Sequence, residues 1–429
     1  MTDVLVAGLG YAGLTLAAGL ASAGTRVLGY DVSTSRVAQL RRGEAPFFET
    51  GLAETLTALP DTLAFTDRLP DELPPATVIC VGTPFDESAG RPDLGALEQV
   101  VGDLAARITP GQLVVLRSTV PVGTTRRVVL AGLLARTDGV HLAFCPERTI
   151  QGQALRELEE LPQVIGGLDE VSARAAAELF APLCPKQVTV SSLEAAELVK
   201  LVNNAHTDVI YGFGNEVALL AEPLGLDARE VIDAANADYP RPDLCWPGFV
   251  GGGCLTKDSY LLMASAAADR QPQLIAAARR LNEAVPAHLA DRTLAALRHR
   301  PHPLDVPRVL VCGLAYKGRP PTDDMRGSAA PPAIARLREG GADVVAHDHL
   351  VSSRDAARIG VELVGLADGF AGRDGVLVLN DHLGYAAFDA RTAVRSMNRP
   401  GVVVDGWGVL AKQLDPAPPG ITYLRHGRG

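Results

Sequence analysis

The feature that most constrains the fold is the opening stretch "VLVAGLGYAGLTLAAGLASAGTRVLGYDVS", Val4 to Ser33. An apolar run, Val4 to Ala7, enters Gly8, Gly10 and Gly13, an Ala/Leu-rich helical pattern follows, and a second apolar run ends at Asp31, 18 positions past Gly13. Glycines at this spacing also occur in ordinary turns. A strand before them, a helix after them and an acidic residue at the end of the next strand are what a dinucleotide site requires. The helix N-terminus receives the pyrophosphate. Asp31 receives the ribose hydroxyls and repels a 2′-phosphate, so the expected cofactor is NAD rather than NADP. Two further strand-like runs, "ATVICVGTP" and "GQLVVLRSTVPVGTT", end in small polar residues. In a doubly wound sheet the ligand lies beyond the carboxyl ends of the strands, which places Thr83, Pro84, Ser118 and Thr119 where cofactor and substrate meet. Without the glycine fingerprint upstream, those four residues read better as ordinary turn chemistry.

A chain of 429 residues is too long for one core, so two or three domains are expected. The formal charge of −10 argues against nucleic acid or an anionic membrane as the main partner, without excluding a local basic pocket. No basic and apolar leader and no apolar run near ~18 residues is present, so the expected location is cytoplasmic. Six cysteines are scattered without a C-x-x-C pair or clustered His, which implies reduced thiols and no metal. Cys80, Cys145, Cys184 and Cys312 sit in or beside strand-like runs and read as small core hydrophobes. Cys254, in "GGGCLTKDSY", has the wrong neighbours for a core. Arginine supplies nearly all the positive charge, and the only lysines are Lys186, Lys200, Lys257, Lys317 and Lys412. A position that keeps lysine here needs a compact ammonium able to change its pKa.

From Ser191 the pattern becomes helical, with Ser191 or Ser192 and Glu194 forming an N-cap and acidic first turn. Lys200 and Asn204, four apart, share one helix face. Helices continue to about Arg300, and the proline-rich "HRPHPLDVP" reads as a linker. A second α/β pattern follows in "PRVLVCGLAYKG", "ADVVAHDH", "DGVLVLNDH" and "GVVVDGWG", without G-x-G-x-x-G. The expected fold is α/β: a Rossmann domain over 1–190, a central helical region over 191–300, and a second Rossmann-like domain over 301–429.

Seven stretches, in order, are "GLGYAG", "VGTP", "STVPVGTT", "CPER", "EAAELVKLVNNA", "DYPRPDLCWPGFVGGGCLTKD" and "GLAYKGRPPTDDMRGSAA". Together they resemble the NAD-dependent nucleotide-sugar 6-dehydrogenases. The resemblance spans nearly the whole chain. It implies two doubly wound domains joined by a central helix that forms a homodimer core, with NAD on the first domain and the nucleotide of a nucleoside-diphosphate sugar on the last. The implied reaction oxidises the C6 alcohol of the sugar to a carboxylate with two NAD⁺.

Carried over by motif, Cys254 is the nucleophile, Lys200 and Asn204 surround the C6 oxygen, Asp258 supports them, and Thr119 and Glu147 position water. Gly8, Gly10, Tyr11, Ala12, Gly13, Asp31, Arg36, Thr83, Pro84, Ser118, Thr119 and Arg326 fall to the cofactor. Glu147, Arg148, Thr149, Lys200, Asn204, Arg241, Phe249, Gly251, Tyr316 and Lys317 fall to the substrate. Lys317 and Arg326 are placed to meet phosphate. Lys257 is ambiguous, because in an extended segment it points away from the side of Asp258.

The implied chemistry explains the residue types. An aldehyde left by the first oxidation is captured by a thiolate, a soft nucleophile favoured by nearby positive charge, and a second oxidation then gives a thioester. Lys200 and Asn204 stabilise the oxyanion. Arg148 after the Pro-Glu pair, where the glucose-oxidising branch usually has phenylalanine, points to UDP-N-acetylhexosamine of the mannosamine type. Thr207 stands where that branch often has arginine, and "YKGRPPTDD" and "RGSAA" also depart from the commoner forms, so UDP- or TDP-glucose is the alternative. A two-electron 3-hydroxyacid dehydrogenase also joins a Rossmann domain to helices carrying a lysine, but needs neither Cys254 nor a C-terminal α/β domain. A non-catalytic NAD sensor has no need of Cys254, Lys200 and Asp258.

Overall fold

A computed structural model describes residues 2–58, 61–86, 88–240, 243–299 and 304–428. The chain divides into two compact units, Met1–Asn204 with Tyr260–Gln271, and Ala205–Ser259 with Pro272–Gly429.

The first unit is built on eight strands: β1 (Val4–Ala7), β2 (Val27–Tyr30), β3 (Leu63–Thr66), β4 (Ala76–Ile79), β5 (Leu113–Leu116), β6 (His141–Phe144), β7 (Gln163–Gly167) and β8 (Gln187–Val190). Their order is β8-β7-β6-β5-β4-β1-β2-β3. β1 to β6 run parallel, Val4 aligning with Val27 on one side and Ala76 on the other, and β7 turns antiparallel to β6. The central runs Val-Leu-Val-Ala and Leu-Val-Val-Leu are buried at every position, as expected of strands covered on both faces. Each such Val or Leu side chain contributes about 1.5–3 kcal/mol. Helix α1 (Tyr11–Ser22) is buried continuously from Gly13 to Ala21, which explains why its sequence is apolar all round.

A long helix α2 (Leu193–Ala221) begins with the expected cap, the Ala195 N–H donating to Ser192 Oγ over 3.1 Å. It starts in the first unit and ends in the second. Helix α3 (Gly252–Ala264) likewise belongs to the second unit up to Ser259 and to the first from Tyr260.

The second unit adds helix α4 (Gln273–Arg298) and a six-stranded parallel sheet of β9 (Arg308–Cys312), β10 (Asp343–His347), β11 (Glu362–Leu363), β12 (Gly375–Val378), β13 (Gly401–Asp405) and β14 (Ile421–Arg425). Its order is β11-β10-β9-β12-β13-β14, again doubly wound about its first strand. The loop after β9 carries Gly313 in place of a G-x-G-x-x-G. Its φ is +97°, and a Cβ there would lie 2.7 Å from the Asn380 amide carbon. Part of the proline-rich linker stretch, 300–303, lies outside the described residues.

Candidate active site

In the first sheet the strand order reverses between β1 and β4, and the glycine loop sits over that crevice. Gly8 has φ +94°, and a Cβ on it would meet the Cys80 carbonyl oxygen at 2.8 Å. A Cβ on Gly13 would lie 1.8 Å from the Gly8 oxygen, so the third glycine is what lets α1 pack against the loop. A Cβ on Gly10 would meet nothing within 4 Å. The space at the helix N-terminus is therefore open on the side a pyrophosphate would approach, and the loop fits the group expected there. The Leu9 N–H donates to Asp31 Oδ2 over 2.8 Å and the Ser33 N–H to Oδ1 over 2.9 Å, which fixes the carboxylate at the end of β2. Arg36 Nη1 donates to the Leu9 carbonyl over 3.0 Å.

Tyr11 turns away from the glycines and donates to Glu49, a buried carboxylate that also accepts the Gly152 N–H over 2.6 Å and the Ala154 N–H over 2.8 Å. Burial, reinforced by Glu49, pushes the Tyr11 hydroxyl well above the usual phenol range. Tyr11 and Glu49 thus tie the glycine loop to the segment after Glu147–Thr149. Sequence offers no signal for Glu49, whose partners lie 38, 103 and 105 positions away.

The carboxyl ends of β4 and β5 are stitched together. Thr83 Oγ1 donates to the Thr119 carbonyl over 2.5 Å, and Ser118 Oγ to the Val81 carbonyl over 2.7 Å. Beneath them Arg117, 2% exposed, donates to the Cys145 carbonyl over 3.2 Å and to Gln163 Oε1 over 2.9 Å. Burial pushes the thiols of Cys80 and Cys145 up to about 12, as befits packing residues. Glu147 accepts the Thr149 N–H, while Arg148 Nη1 donates to the Pro162 carbonyl over 3.3 Å.

Lys200 and Asn204 lie one turn apart on α2, Lys200 being 5% exposed. One turn before Lys200, the fully buried Glu197 accepts the Gly123 N–H, the Thr125 N–H (2.7 Å) and Thr125 Oγ1 (2.6 Å). It fastens the lysine-bearing helix to the loop that follows Thr119. Burial raises the Glu197 carboxyl, and these donors oppose that shift.

The second unit holds the cysteine. Gly251 approaches Gly327 so closely that a Cβ would lie 2.1 Å from its oxygen, and Gly252, at φ +88°, turns under the Tyr316 ring, 2.6 Å from a Cβ position. Helix α3 starts at that turn, held by a Thr256 Oγ1 hydrogen bond to the Gly252 carbonyl over 2.8 Å. Cys254 is therefore exposed in the first turn of a helix, where the backbone N–H groups favour negative charge. Arg326 lies beside it. Hydrogen bonds to Asp324 chiefly hold that guanidinium above its ordinary range, and the Cys254 sulfur adds to the effect. Phe249 is buried, and Lys317 Nζ sits 5.5 Å from the centre of the Tyr316 ring.

Asp258, fully buried, is one helical turn from Cys254 on the same face. The segment is helical rather than extended, which decides the ambiguity of Lys257. Because the stretch is helical, Lys257 reaches Asp258 Oδ1 at 3.3 Å and does not point away from it. Arg241 lies outside the described residues. Elsewhere in this unit Glu222, His288 and His426 converge, a cluster that scattered histidines did not reveal in sequence. Glu222 is already engaged by Arg292 Nη1 at 2.7 Å and by the Gly427 N–H at 2.8 Å.

A doubly wound sheet with a dinucleotide crevice at its switch point is the cofactor domain of an NAD-dependent oxidoreductase. Residues 2–184 match the NAD-binding domain, 194–284 the central domain and 310–412 the UDP-binding domain of the UDP-glucose/GDP-mannose dehydrogenase family. The chain belongs to that family and binds a nucleotide sugar. A UDP-N-acetyl-D-mannosamine dehydrogenase from Pyrococcus horikoshii is 33% identical over 99% of both chains. An NDP-N-acetyl-D-galactosaminuronic acid dehydrogenase from Ralstonia nicotianae is 31% identical over 90% of this chain and 92% of its own. The solved structure of a UDP-glucose dehydrogenase from Pyrobaculum islandicum superposes with a TM-score of 0.86 at 30% identity, covering 100% of this chain and 98% of that one. Among helices of the described residues, none is long and apolar enough to cross a membrane.

Proposed function

We propose that the protein carries out a four-electron oxidation of the C6 hydroxymethyl group of a UDP-N-acetylhexosamine, of the mannosamine type, through a covalent intermediate on Cys254. The observation that carries this reading is the placement of Cys254: exposed, in the first turn of α3, beside Arg326 and one turn from Asp258. Bound NAD⁺ supplies the hydride acceptor for both oxidations. Gly8, Gly10, Gly13 and Asp31 hold it, with Thr83, Pro84, Ser118 and Thr119 at its reactive end.

Lys200 and Asn204 take the charge that develops on the C6 oxygen. The Cys254 thiolate adds to the aldehyde carbon, which keeps a reactive carbonyl from escaping, and the resulting thiohemiacetal is oxidised to a thioester. Thr119, Glu147 and Asp258 orient the water that cleaves the thioester. Tyr316, Lys317 and Arg326 line the nucleotide side, and Arg148 and Thr149 the sugar side. The mannosamine assignment rests on Arg148 after Pro146-Glu147 and on the Pyrococcus horikoshii relative.

The working form is a homodimer. Support comes from apolar side chains left in solvent on and beside the C-terminal half of α2, Phe213 (50% exposed), Leu220 (64%) and Leu224 (71%), with Val231 and Leu274. The assignment is tested by following NADH release with a panel of UDP-, TDP- and GDP-sugars. Turnover of UDP-N-acetylmannosamine above the others is expected, and preferential turnover of UDP-glucose would overturn the sugar assignment.

A further inference from the structure

Three successive glycines, Gly251 to Gly253, precede Cys254. Such a run has the greatest backbone freedom of any sequence, so local propensity does not hold the cysteine where it stands. The hold is tertiary and comes from a polar network sealed beneath the loop. Asp208, Asn215, Ser259, Arg279 and Asn282 are each 0% exposed. Arg279 Nη1 pairs with Asp208 Oδ1 at 2.9 Å. The same guanidinium donates to two backbone carbonyls that bracket the cysteine, Val250 on one side (Nη2, 3.3 Å) and Leu255 on the other (Nη1, 3.4 Å).

Asp208 is itself held on several sides. Asn282 Nδ2 donates to its Oδ1 over 2.6 Å and to its carbonyl over 2.8 Å, and Ser259 Oγ, next to Asp258, donates to its Oδ2 over 3.0 Å. Asn282 Oδ1 accepts from Asn215 Nδ2 over 2.8 Å, and Asn215 in turn grips both backbone groups of Gly248, its Oδ1 taking the N–H at 2.8 Å and its Nδ2 giving to the carbonyl at 3.0 Å. Two members of the network, Arg279 and Asn215, therefore end on backbone between Gly248 and Leu255, and Asp208 and Asn282 hold those two in place.

A buried ion pair is weak evidence for stability, because desolvation offsets most of its attraction and apolar replacements are often as stable. What a buried, multiply hydrogen-bonded network provides is a single geometry. We propose that Arg279, oriented by Asp208, is a positioning residue for Cys254: it clamps the carbonyls of Val250 and Leu255 so that the glycine-rich turn delivers the thiol to the first turn of α3 beside Arg326. The proposal rests on Cys254 being the nucleophile. Loosening the clamp lets the first turn fray and removes the N–H groups and positive charge that favour the thiolate.

The test is the rate of iodoacetamide alkylation at Cys254 in the full-length protein, read by peptide mass spectrometry at one neutral pH. Arg279→Lys keeps a positive charge but cannot reach Asp208 and both carbonyls together. Asp208→Asn is close to isosteric and serves if the first variant does not fold. Alkylation of Cys254 roughly threefold to thirtyfold slower than in the wild type is expected for either, with NAD affinity unchanged. A core variant elsewhere in the same unit, Leu337→Ala, is expected to lower the melting temperature while leaving the alkylation rate alone. The proposal is overturned if Arg279→Lys and Asp208→Asn alkylate at the wild-type rate, or if Leu337→Ala slows the reaction as much as they do. Retention of full oxidation to the acid by Cys254→Ala would instead remove the nucleophile itself, whatever the alkylation rates.

Discussion

Lys200 is one of five lysines in the chain and is 5% exposed, on the helix face it shares with Asn204. A buried ammonium aimed at a developing oxyanion acts on the transition state more than on substrate binding. Lys200→Ala is expected to lower kcat by about 10²–10³ with a smaller change in the KM for nucleotide sugar, as read by steady-state NADH formation. At this scale much of the site is legible in the sequence: Gly8, Gly13 and Asp31 sit in one short segment whose roles depend on local spacing, and Cys254 stands out against its glycines. Glu49, Asp208, Arg279 and Asn282 are not legible. Their partners lie far along the chain, 71 positions in the case of Arg279 and Asp208, and Asp208, Arg279 and Asn282, being on helices, look like any charged or polar surface position.

Elements carry two further consequences. The glycines before Cys254 have no helical preference, yet α3 begins at Gly252, where a positive φ turns the chain under Tyr316. Gly252→Ala must strain that φ and meet the ring. It is expected to cost about 1–3 kcal/mol locally and to depress turnover while leaving NAD affinity intact, which chemical denaturation and a binding titration would separate. At the end of β10, His347 is buried against Tyr385, whose hydroxyl lies 3.2 Å from its Nδ1. Burial first, and then the neighbouring His349, lowers its pKa to about 4.

A histidine depressed in the folded state binds its proton more readily when unfolded. Its stabilising contribution is therefore present above the unfolded value near 6.5 and is lost as pH falls toward 4. The full loss is roughly 3 kcal/mol. The melting temperature of the wild type is expected to fall between pH 7 and pH 4.5 more steeply than that of His347→Asn, as scanning calorimetry would show.

At the scale of the whole molecule, the two doubly wound sheets follow from alternating strand and helix patterns, and the reversal points of both sheets fall at glycine loops visible in the sequence. The division of the chain is less legible. Helices α2 and α3 are each divided between the two compact units, and no composition shift marks a boundary inside a continuous helix. The exposed apolar side chains of the second unit bear on assembly. Phe213→Glu combined with Leu220→Glu is expected to convert a dimer to a monomer in light scattering, and unchanged mass would argue against that face as the interface.

The central claim is that one site takes four electrons from one carbon by holding it on Cys254. The most direct measurement is the number of NADH formed per nucleotide sugar consumed, in the wild type and in Cys254→Ala, with an aldehyde trap present. Two NADH and no trapped aldehyde in the wild type, with acid formation abolished in Cys254→Ala, is the predicted result. One NADH per sugar in the wild type, or two in Cys254→Ala, would contradict it.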